Sequence, residues 1–316
     1  MLISIAIPCY RSEKNLEAVV NEIRDEFSKH PEDDYQIILV CDGSPDHTDE
    51  VIRRICAQDE KITGVLLSRN YTQPNAKMAA IPHVRGEVLV FMDDDGQHPA
   101  DGIFPLADMI VKGYDVAYAS FPQKKQSRLK ALSSRMNEKM LERLGTRPKG
   151  IRISSFVAYS RFVVERLKEY KSPSPSFGGF VNTITTKYTN VDIQQRKRLS
   201  GKSGYSVRKL INLAITSYTN FTVVPLRIID IIGFVSAFIG MIYSIVIVVR
   251  KLVFRNIALG YTSNMAALLI LGGLILIALG LVGEYVGRIY MLLSNKPQYT
   301  VRETINEYEE TKGNES

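Results

Sequence analysis

Three consecutive aspartates, Asp93, Asp94 and Asp95, follow directly on the apolar run Val88–Met92 in the stretch VLVFMDDDGQHP. Adjacent carboxylates repel one another. A protein tolerates them on a solvated loop or where a cation sits between them. Asp93 and Asp95, alternate residues at a strand end, suit shared ligation of a hard divalent cation. Mg2+ takes one or two protein carboxylates and completes its shell with phosphate oxygens and water; the sequence does not choose between Mg2+ and Mn2+. A metal so held neutralises a diphosphate leaving group. Gln97 could add an amide oxygen as a third ligand. His98 is a weaker ligand candidate because Pro99 follows it. A helix N-cap explains Asp101, but not three carboxylates immediately after a strand.

Such a cluster needs elements that deliver it to a crevice. Apolar, β-branched runs predict strands at 2–8, 35–41, 62–68, 87–93 and 114–120, alternating with helical stretches at about 13–29, 47–59, 74–85 and 101–111. Near-continuous hydrophobic strands alternating with helices imply a mostly parallel, Rossmann-like sheet covered on both faces, an α/β doubly wound domain. Ligands on such sheets bind beyond the carboxyl ends of the strands. Polar clusters follow four of those ends: Pro8-Cys9-Tyr10-Arg11, Asp42-Gly43-Ser44-Pro45-Asp46, Ser68-Arg69-Asn70-Tyr71 and the aspartates. Any one alone is an ordinary turn; all four together argue for a site.

The chain has 316 residues, a net charge of +7 and three cysteines. Cys9, Cys41 and Cys56 lack metal-ligand spacing and read as reduced, buried thiols. Residues 1–7 lack a basic leader region, so no secretory signal peptide is expected and the N-terminal part is placed in a reducing cytoplasm. Two apolar runs, 228–249 and 266–287, each have about the 20 residues that a helix needs to cross a bilayer. Their glycines, including Gly233, Gly240, Gly272 and Gly273, suit close helix packing there. Two spans put both flanks on one side, and the distribution of Lys and Arg makes that side cytoplasmic. Asp230 can lie at headgroup level, and Glu284 and Arg288 can pair at i,i+4.

Between Lys124 and Arg152 there are ten Lys or Arg and two Glu, with Leu129, Leu132, Met136, Met140 and Leu144 at helical spacing. This predicts a basic amphipathic helix on anionic lipid or around a lipid phosphate. A second basic patch, Arg196-Lys197-Arg198, precedes Gly201-Lys202-Ser203-Gly204. The expected organisation is a domain over 1–205, a juxtamembrane helix over 206–227, a span over 228–249, a loop over 250–265, a second span over 266–287 and a cytoplasmic tail over 288–316, frayed from Glu303. His30, His47 and His83 read as surface or loop histidines. Aromatic interleaving in the basic patches is too sparse for nucleic-acid binding.

The segments IAIPCYRSEKNL, VCDGSPDHT, LSRNYTQPNAKMAA, MDDDGQHP and RLSGKSGY together resemble the GT-A-fold family 2 glycosyltransferases. The C-terminal stretch LGGLILIALGLVGEYVGRIYMLLSNKPQY narrows the resemblance to the polyprenyl-phosphate branch, similar to dolichol-phosphate mannose synthase and the bacterial GtrB/ArnC-type enzymes. The resemblance implies that Pro8, Tyr10, Glu13 and Asp42 hold the nucleotide base and ribose. It makes Asp93 and Asp95 the metal aspartates, with Gln97 at the third metal-associated position. Asp94 occupies the variable middle position beside the nucleotide. Arg198 corresponds to a basic residue near the diphosphate and the acceptor phosphate. Two departures stand out. The family's Gly-Ser-Arg or Gly-x-Arg after the fifth strand is replaced by Ala119-Ser120-Phe121-Pro122-Gln123-Lys124-Lys125, which leaves Lys124, Lys125, Arg128 and Arg198 as acceptor-phosphate candidates. Gly96 replaces a larger apolar residue, which would loosen that loop.

The implied reaction is inverting sugar transfer from a UDP- or GDP-sugar to a polyprenyl phosphate such as undecaprenyl phosphate, at a bacterial inner membrane, by a homo-oligomer that the resemblance alone makes a tetramer. Asp93, Asp95 and Arg198 carry the catalytic expectation. One rival is a non-catalytic membrane adaptor on a degenerate transferase fold; intact Asp42, Asp93 and Asp95 argue against it. Another is a processive polysaccharide synthase, which usually carries Gln-x-x-Arg-Trp, and this chain has no tryptophan.

Overall fold

The computed structural model describes residues 1–121, 148, 150–172, 175, 177–194, 196, parts of 231–249, 261–294 and 297–307. The chain divides into two compact units, Met1–Ser206 with Pro297–Ser316, and Val207–Lys296.

The first unit is built on an eight-stranded sheet in the order β7-β5-β6-β4-β1-β2-β3-β8. Its strands are β1 (Leu2–Cys9), β2 (Asp34–Cys41), β3 (Ile62–Leu67), β4 (Val88–Phe91), β5 (Val116–Ser120), β6 (Val157–Ser160), β7 (Tyr188–Asp192) and β8 (Val301–Ile305). The β1–β2, β1–β4, β2–β3 and β5–β7 pairs are parallel. β6 lies antiparallel between β4 and β5, and β8 runs antiparallel along β3. The sheet is therefore mostly parallel, as the alternating sequence predicts, and its carboxyl ends form one edge.

Helices cover both faces. On one side Ile3, Ile5 and Ile7 of β1 pack in a core with Leu16, Val19, Val20, Ile23 and Phe27 of α1 (Leu16–Phe27), Val51, Ile52 and Ile55 of α2 (Thr48–Gln58), and Ile103 and Leu106 of α4 (Ile103–Val111). The α1 spacing is the i, i+3, i+4, i+7 stripe of a helix lying on a core. On the other side Ala6, Ile38 and Val40 pack with Ala76, Met78 and Ala79 of α3 (Gln73–Ala80) and with Val163, Val164 and Leu167 of α5 (Arg161–Lys168). Alternate strand residues thus feed opposite layers. A further helix, α6 (Phe177–Ile184), precedes β7. Cys9, Cys41 and Cys56 are free and buried, as expected.

Several expectations are corrected. The tail read as frayed from Glu303 contains β8, which begins at Val301 and pairs with β3. Arg53 donates to the two carboxylate oxygens of Glu303 through its two terminal guanidinium nitrogens. Asn306, at φ 53, donates to the carbonyls of Cys56 (2.7 Å) and Ile62 (3.0 Å). His83 is mostly buried rather than at the surface: its side chain is 14% exposed, and its carbonyl accepts from Gln36 Nε2 at 2.8 Å. Asp101 caps no helix; it sits within a 3-10 turn, Ala100–Gly102.

In the second unit, α7 (Tyr261–Leu293) contains a 21-residue stretch, Leu271–Met291, long and apolar enough to cross a membrane, with none of that stretch buried. Among the described residues the first expected span shows only a shorter apolar helix, Ile231–Gly240. Two spans are therefore not established. The basic helix expected over 124–152, apart from 148 and 150–152, lies outside the described residues, as do the juxtamembrane helix over 206–227, Asp230 and the Glu284–Arg288 side-chain pair; residues 151 and 152 are not helical.

Candidate active site

The loops at the carboxyl ends of β1, β2, β3 and β4 are knitted together by hydrogen bonds. After β1, the Tyr10 backbone N–H donates to Asp94 Oδ2 at 3.3 Å, and the Ser12 hydroxyl donates to the same oxygen. The Arg11 N–H donates to Ser44 Oγ at 2.8 Å and the Ser12 N–H to Thr48 Oγ1 at 2.9 Å. Asp46 accepts from the hydroxyls of Ser44 and Thr48, closing the loop after β2. Asp42, 3% exposed, accepts from the Tyr71 N–H at 2.7 Å, which ties the β2 end to the β3 loop.

Gly43 makes that close approach possible. It sits at φ +54, and a Cβ there would lie 2.2 Å from the Arg69 carbonyl carbon. Only a residue without a side chain fits both the conformation and the space. Gly96 stands at φ +72 in the turn after the aspartates. It permits the left-handed turn across which the Gln97 N–H donates to Asp95 Oδ1 at 3.1 Å.

The three aspartates take different surroundings. Asp93 accepts from Gln73 Nε2 at its Oδ1 (2.9 Å) and from Ser155 Oγ at its Oδ2 (2.6 Å). Asp94 turns toward the β1 loop. Burial pushes its carboxyl up to about 6, with Ser12 and Tyr10 pulling it down and the Asp93 charge adding to the rise. Burial also raises the Asp42 carboxyl, against the pull of the Tyr71 and Thr72 amides. In Asp46 burial is outweighed by its hydroxyl and amide donors, and its carboxyl falls below the usual range.

His98 is a scaffold residue here. Its Nδ1 accepts from the Asp93 backbone N–H at 3.0 Å, so that nitrogen's lone pair is already used. The ring is 3% exposed and stacks on Phe121 and Phe156 with interplanar angles of 8° and 9°. Burial lowers its pKa, opposed by Asp93 and Asp95.

The other expected residues are placed as follows. Pro8 is buried in β1 in register with Val40, and Tyr10 is 43% exposed at the site rim. Glu13 accepts from the His47 N–H at 3.2 Å. The Gln97 carbonyl accepts from the Arg196 N–H at 3.1 Å, and the Arg196 guanidinium binds Glu22 at 2.6 Å. Lys124, Lys125, Arg128 and Arg198 lie outside the described residues. Ser12, Gln73 and Ser155 were not singled out in the sequence. Ser12 and Gln73 do lie inside the quoted motifs, whereas Ser155 carries no sequence signal.

Asp93 and Asp95 offer only oxygen donors, and among the described residues no group of three or more His, Cys, Asp or Glu side chains forms a metal cage. A carboxylate pair of this kind fits a hard cation that fills its remaining positions with phosphate oxygens and water.

Residues 4–168 match the family model for glycosyl transferase family 2, and residues 224–289 match the GtrB C-terminal hairpin. Undecaprenyl-phosphate 4-deoxy-4-formamido-L-arabinose transferase of Photorhabdus laumondii is 31% identical over 308 residues, covering 96% of this chain and 94% of that protein. The enzyme of the same name from Yersinia enterocolitica is 32% identical over 316 residues, covering 99% and 96%. Among solved structures, glucosyl-3-phosphoglycerate synthase from Mycobacterium tuberculosis aligns with a TM-score of 0.47 and 17% identity, over 68% of this chain and 77% of that one. With a family match spanning more than half its length, and relatives over 30% identical along nearly the whole chain, this chain belongs to the family 2 glycosyltransferases.

Proposed function

We propose that the protein transfers a sugar, with inversion, from a UDP- or GDP-linked donor to undecaprenyl phosphate. The observation that carries the donor half is the hydrogen-bonded convergence of Asp42, Asp93, Asp94 and Asp95 at the carboxyl ends of adjacent parallel strands. The acceptor half is supported by whole-length similarity to enzymes named for undecaprenyl phosphate.

In this reading Asp42, with Pro8, Tyr10 and Glu13, holds the base and ribose. Asp93 and Asp95, with Gln97, hold Mg2+ or Mn2+. Such an ion, when bound, neutralises charge on the diphosphate leaving group. The acceptor is a phosphomonoester with a second pKa near 6, so it is mostly dianionic at neutral pH and needs no strong general base. The protein's task is to hold two anions in line and exclude other partners. Arg198 is assigned to the acceptor side, together with Lys124, Lys125 and Arg128. Arg196, two residues before Arg198 in sequence, is anchored to Gln97 beside the aspartates. The match to the GtrB hairpin and the unburied apolar stretch of α7 support a place in a bacterial inner membrane, with the site on the cytoplasmic face.

The test is a transfer assay in detergent with undecaprenyl phosphate, Mg2+ or Mn2+ and a panel of radiolabelled UDP- and GDP-sugars. EDTA-sensitive label in the lipid phase from one donor supports the reading and identifies the sugar. No label from any donor, with no calorimetric binding of UDP or GDP, would overturn it.

A further inference from the structure

Asp93 is fixed from three directions by residues outside the aspartate motif's own ligand positions. Gln73, at the start of α3, donates to Oδ1 at 2.9 Å. Ser155, just ahead of β6, donates to Oδ2 at 2.6 Å. His98 accepts from the Asp93 backbone N–H at 3.0 Å and itself stacks with the rings of Phe121 and Phe156. One donor on each carboxylate oxygen sets the plane of the group. A carboxylate has about four lone-pair positions, so two accepted bonds leave capacity for a cation.

The backbone that delivers Gln73 is strained. Thr72, a β-branched residue, stands at φ 78 and ψ 154, a region that side-chain-bearing residues rarely adopt. The surrounding bonds hold it there. Tyr71 N–H is bound to Asp42 at 2.7 Å, and the Tyr71 carbonyl accepts from Asn75 Nδ2 at 2.6 Å. The Thr72 carbonyl accepts from the Asn75 and Ala76 N–H groups at 3.0 and 3.1 Å. The turn Tyr71–Gln73 therefore runs from the expected nucleotide aspartate at one end to the expected metal aspartate at the other. Ser155 is secured from the same helix, since Lys77 Nζ donates to its carbonyl at 3.5 Å.

We propose that Gln73 and Ser155 are positioning residues that hold the Asp93 carboxylate in its metal-ligating orientation. The inference rests on the reading of Asp93 as a metal ligand. Hydrogen bonds behind a ligand orient it, and their loss typically costs about 10–100-fold in metal affinity.

The experiment uses the full chain in detergent, with Mn2+ as the probe, titrated by electron paramagnetic resonance in the presence of UDP or GDP without sugar, so that no turnover occurs. Gln73→Leu and Ser155→Ala are each expected to weaken Mn2+ binding about 10-fold or more. Metal-free nucleotide affinity and the thermal midpoint should stay near those of the unmodified protein. If the unmodified protein binds Mn2+ and both variants bind it equally well, the positioning role is overturned and the metal reading survives. If Mn2+ affinity falls only in step with metal-free nucleotide affinity and thermal midpoint, the residues act on the fold and the positioning role is again overturned. If the unmodified protein binds no Mn2+ with either nucleotide, the metal reading fails and this inference with it.

Discussion

The backbone N–H of Tyr71 donates to Asp42 Oδ1 at 2.7 Å, so the loop after β3 is held by the carboxylate that ends β2. Asp42→Ala removes the acceptor from a buried position, which costs about 1–3 kcal/mol of stability. Asp42→Asn keeps a carbonyl oxygen for Tyr71 and should unfold near the unmodified midpoint. Both variants should lose most of their calorimetric UDP or GDP affinity if Asp42 recognises the base. Unchanged nucleotide binding in a folded Asp42→Ala protein would remove Asp42 from the donor site.

The aspartate motif makes a separate demand. Asp95 Oδ1 accepts the Gln97 N–H, a bond that an asparagine oxygen can also accept. Asp95→Asn should therefore stay folded while losing the proposed metal-dependent transfer, by about 100-fold or more on the scale of one lost electrostatic stabiliser. Lipid-phase label at the unmodified rate would sink the metal assignment of Asp95.

Gly43 is a steric prediction. At φ +54, with the Arg69 carbonyl carbon 2.2 Å from any added Cβ, Gly43→Ala combines left-handed strain with overpacking. The expected cost is roughly 2–5 kcal/mol, summing the two effects. Chemical denaturation would measure it. A midpoint equal to that of the unmodified protein would mean that the β2 and β3 loops do not approach as described.

At the C-terminal edge two attachments can be ranked. Arg53 and Glu303 form a bidentate pair, but their side chains are 45% and 41% exposed, so Arg53→Ala should cost under about 1 kcal/mol. Asn306 Nδ2 donates to the carbonyls of Cys56 and Ile62, with that of Asp59 at 3.3 Å beside them, and the residue occupies a left-handed conformation that asparagine tolerates. Asn306→Ala should cost more, about 1–3 kcal/mol. The reverse order in thermal unfolding would show that β8 is held mainly by its ion pair.

Asp59 supplies a pH test away from the site. Burial raises its carboxyl, but the Tyr35 hydroxyl, the Lys61 N–H and Arg24 together bring it below the usual carboxylate value. Burial and the bond to Asp59 push Tyr35 up to about 12, so the phenol remains a donor through the neutral range. A depressed folded-state pKa means that Asp59 contributes stability above the unfolded value, about 3.9, and loses it as the pH falls through the folded value. The midpoint gap between the unmodified protein and Asp59→Asn should be open at pH 7 and narrow below pH 4. A gap constant from pH 7 to pH 3 would contradict the shift.

What the sequence determined by itself is what short-range pattern encodes. The alternation of apolar strands and amphipathic helices placed β1 to β5 and α1 to α4 within a few residues, and the rule that polar loops follow strand ends assembled Asp42 and Asp93 to Asp95 at one edge. The run 266–287 was legible as one long apolar element, and it falls inside α7. Tertiary structure decided the rest, because the partners are distant in sequence and individually ordinary. Ser155 meets Asp93 across 62 residues, and Ser12 meets Asp94 across 82. β6 is a four-residue strand whose antiparallel insertion between β4 and β5 has no local signature. β8 reads as an acidic tail until the unpaired edge of β3 gives its backbone groups partners. A hydrogen bond between residues far apart along the chain depends on where the fold brings two backbones, and periodicity carries no record of that.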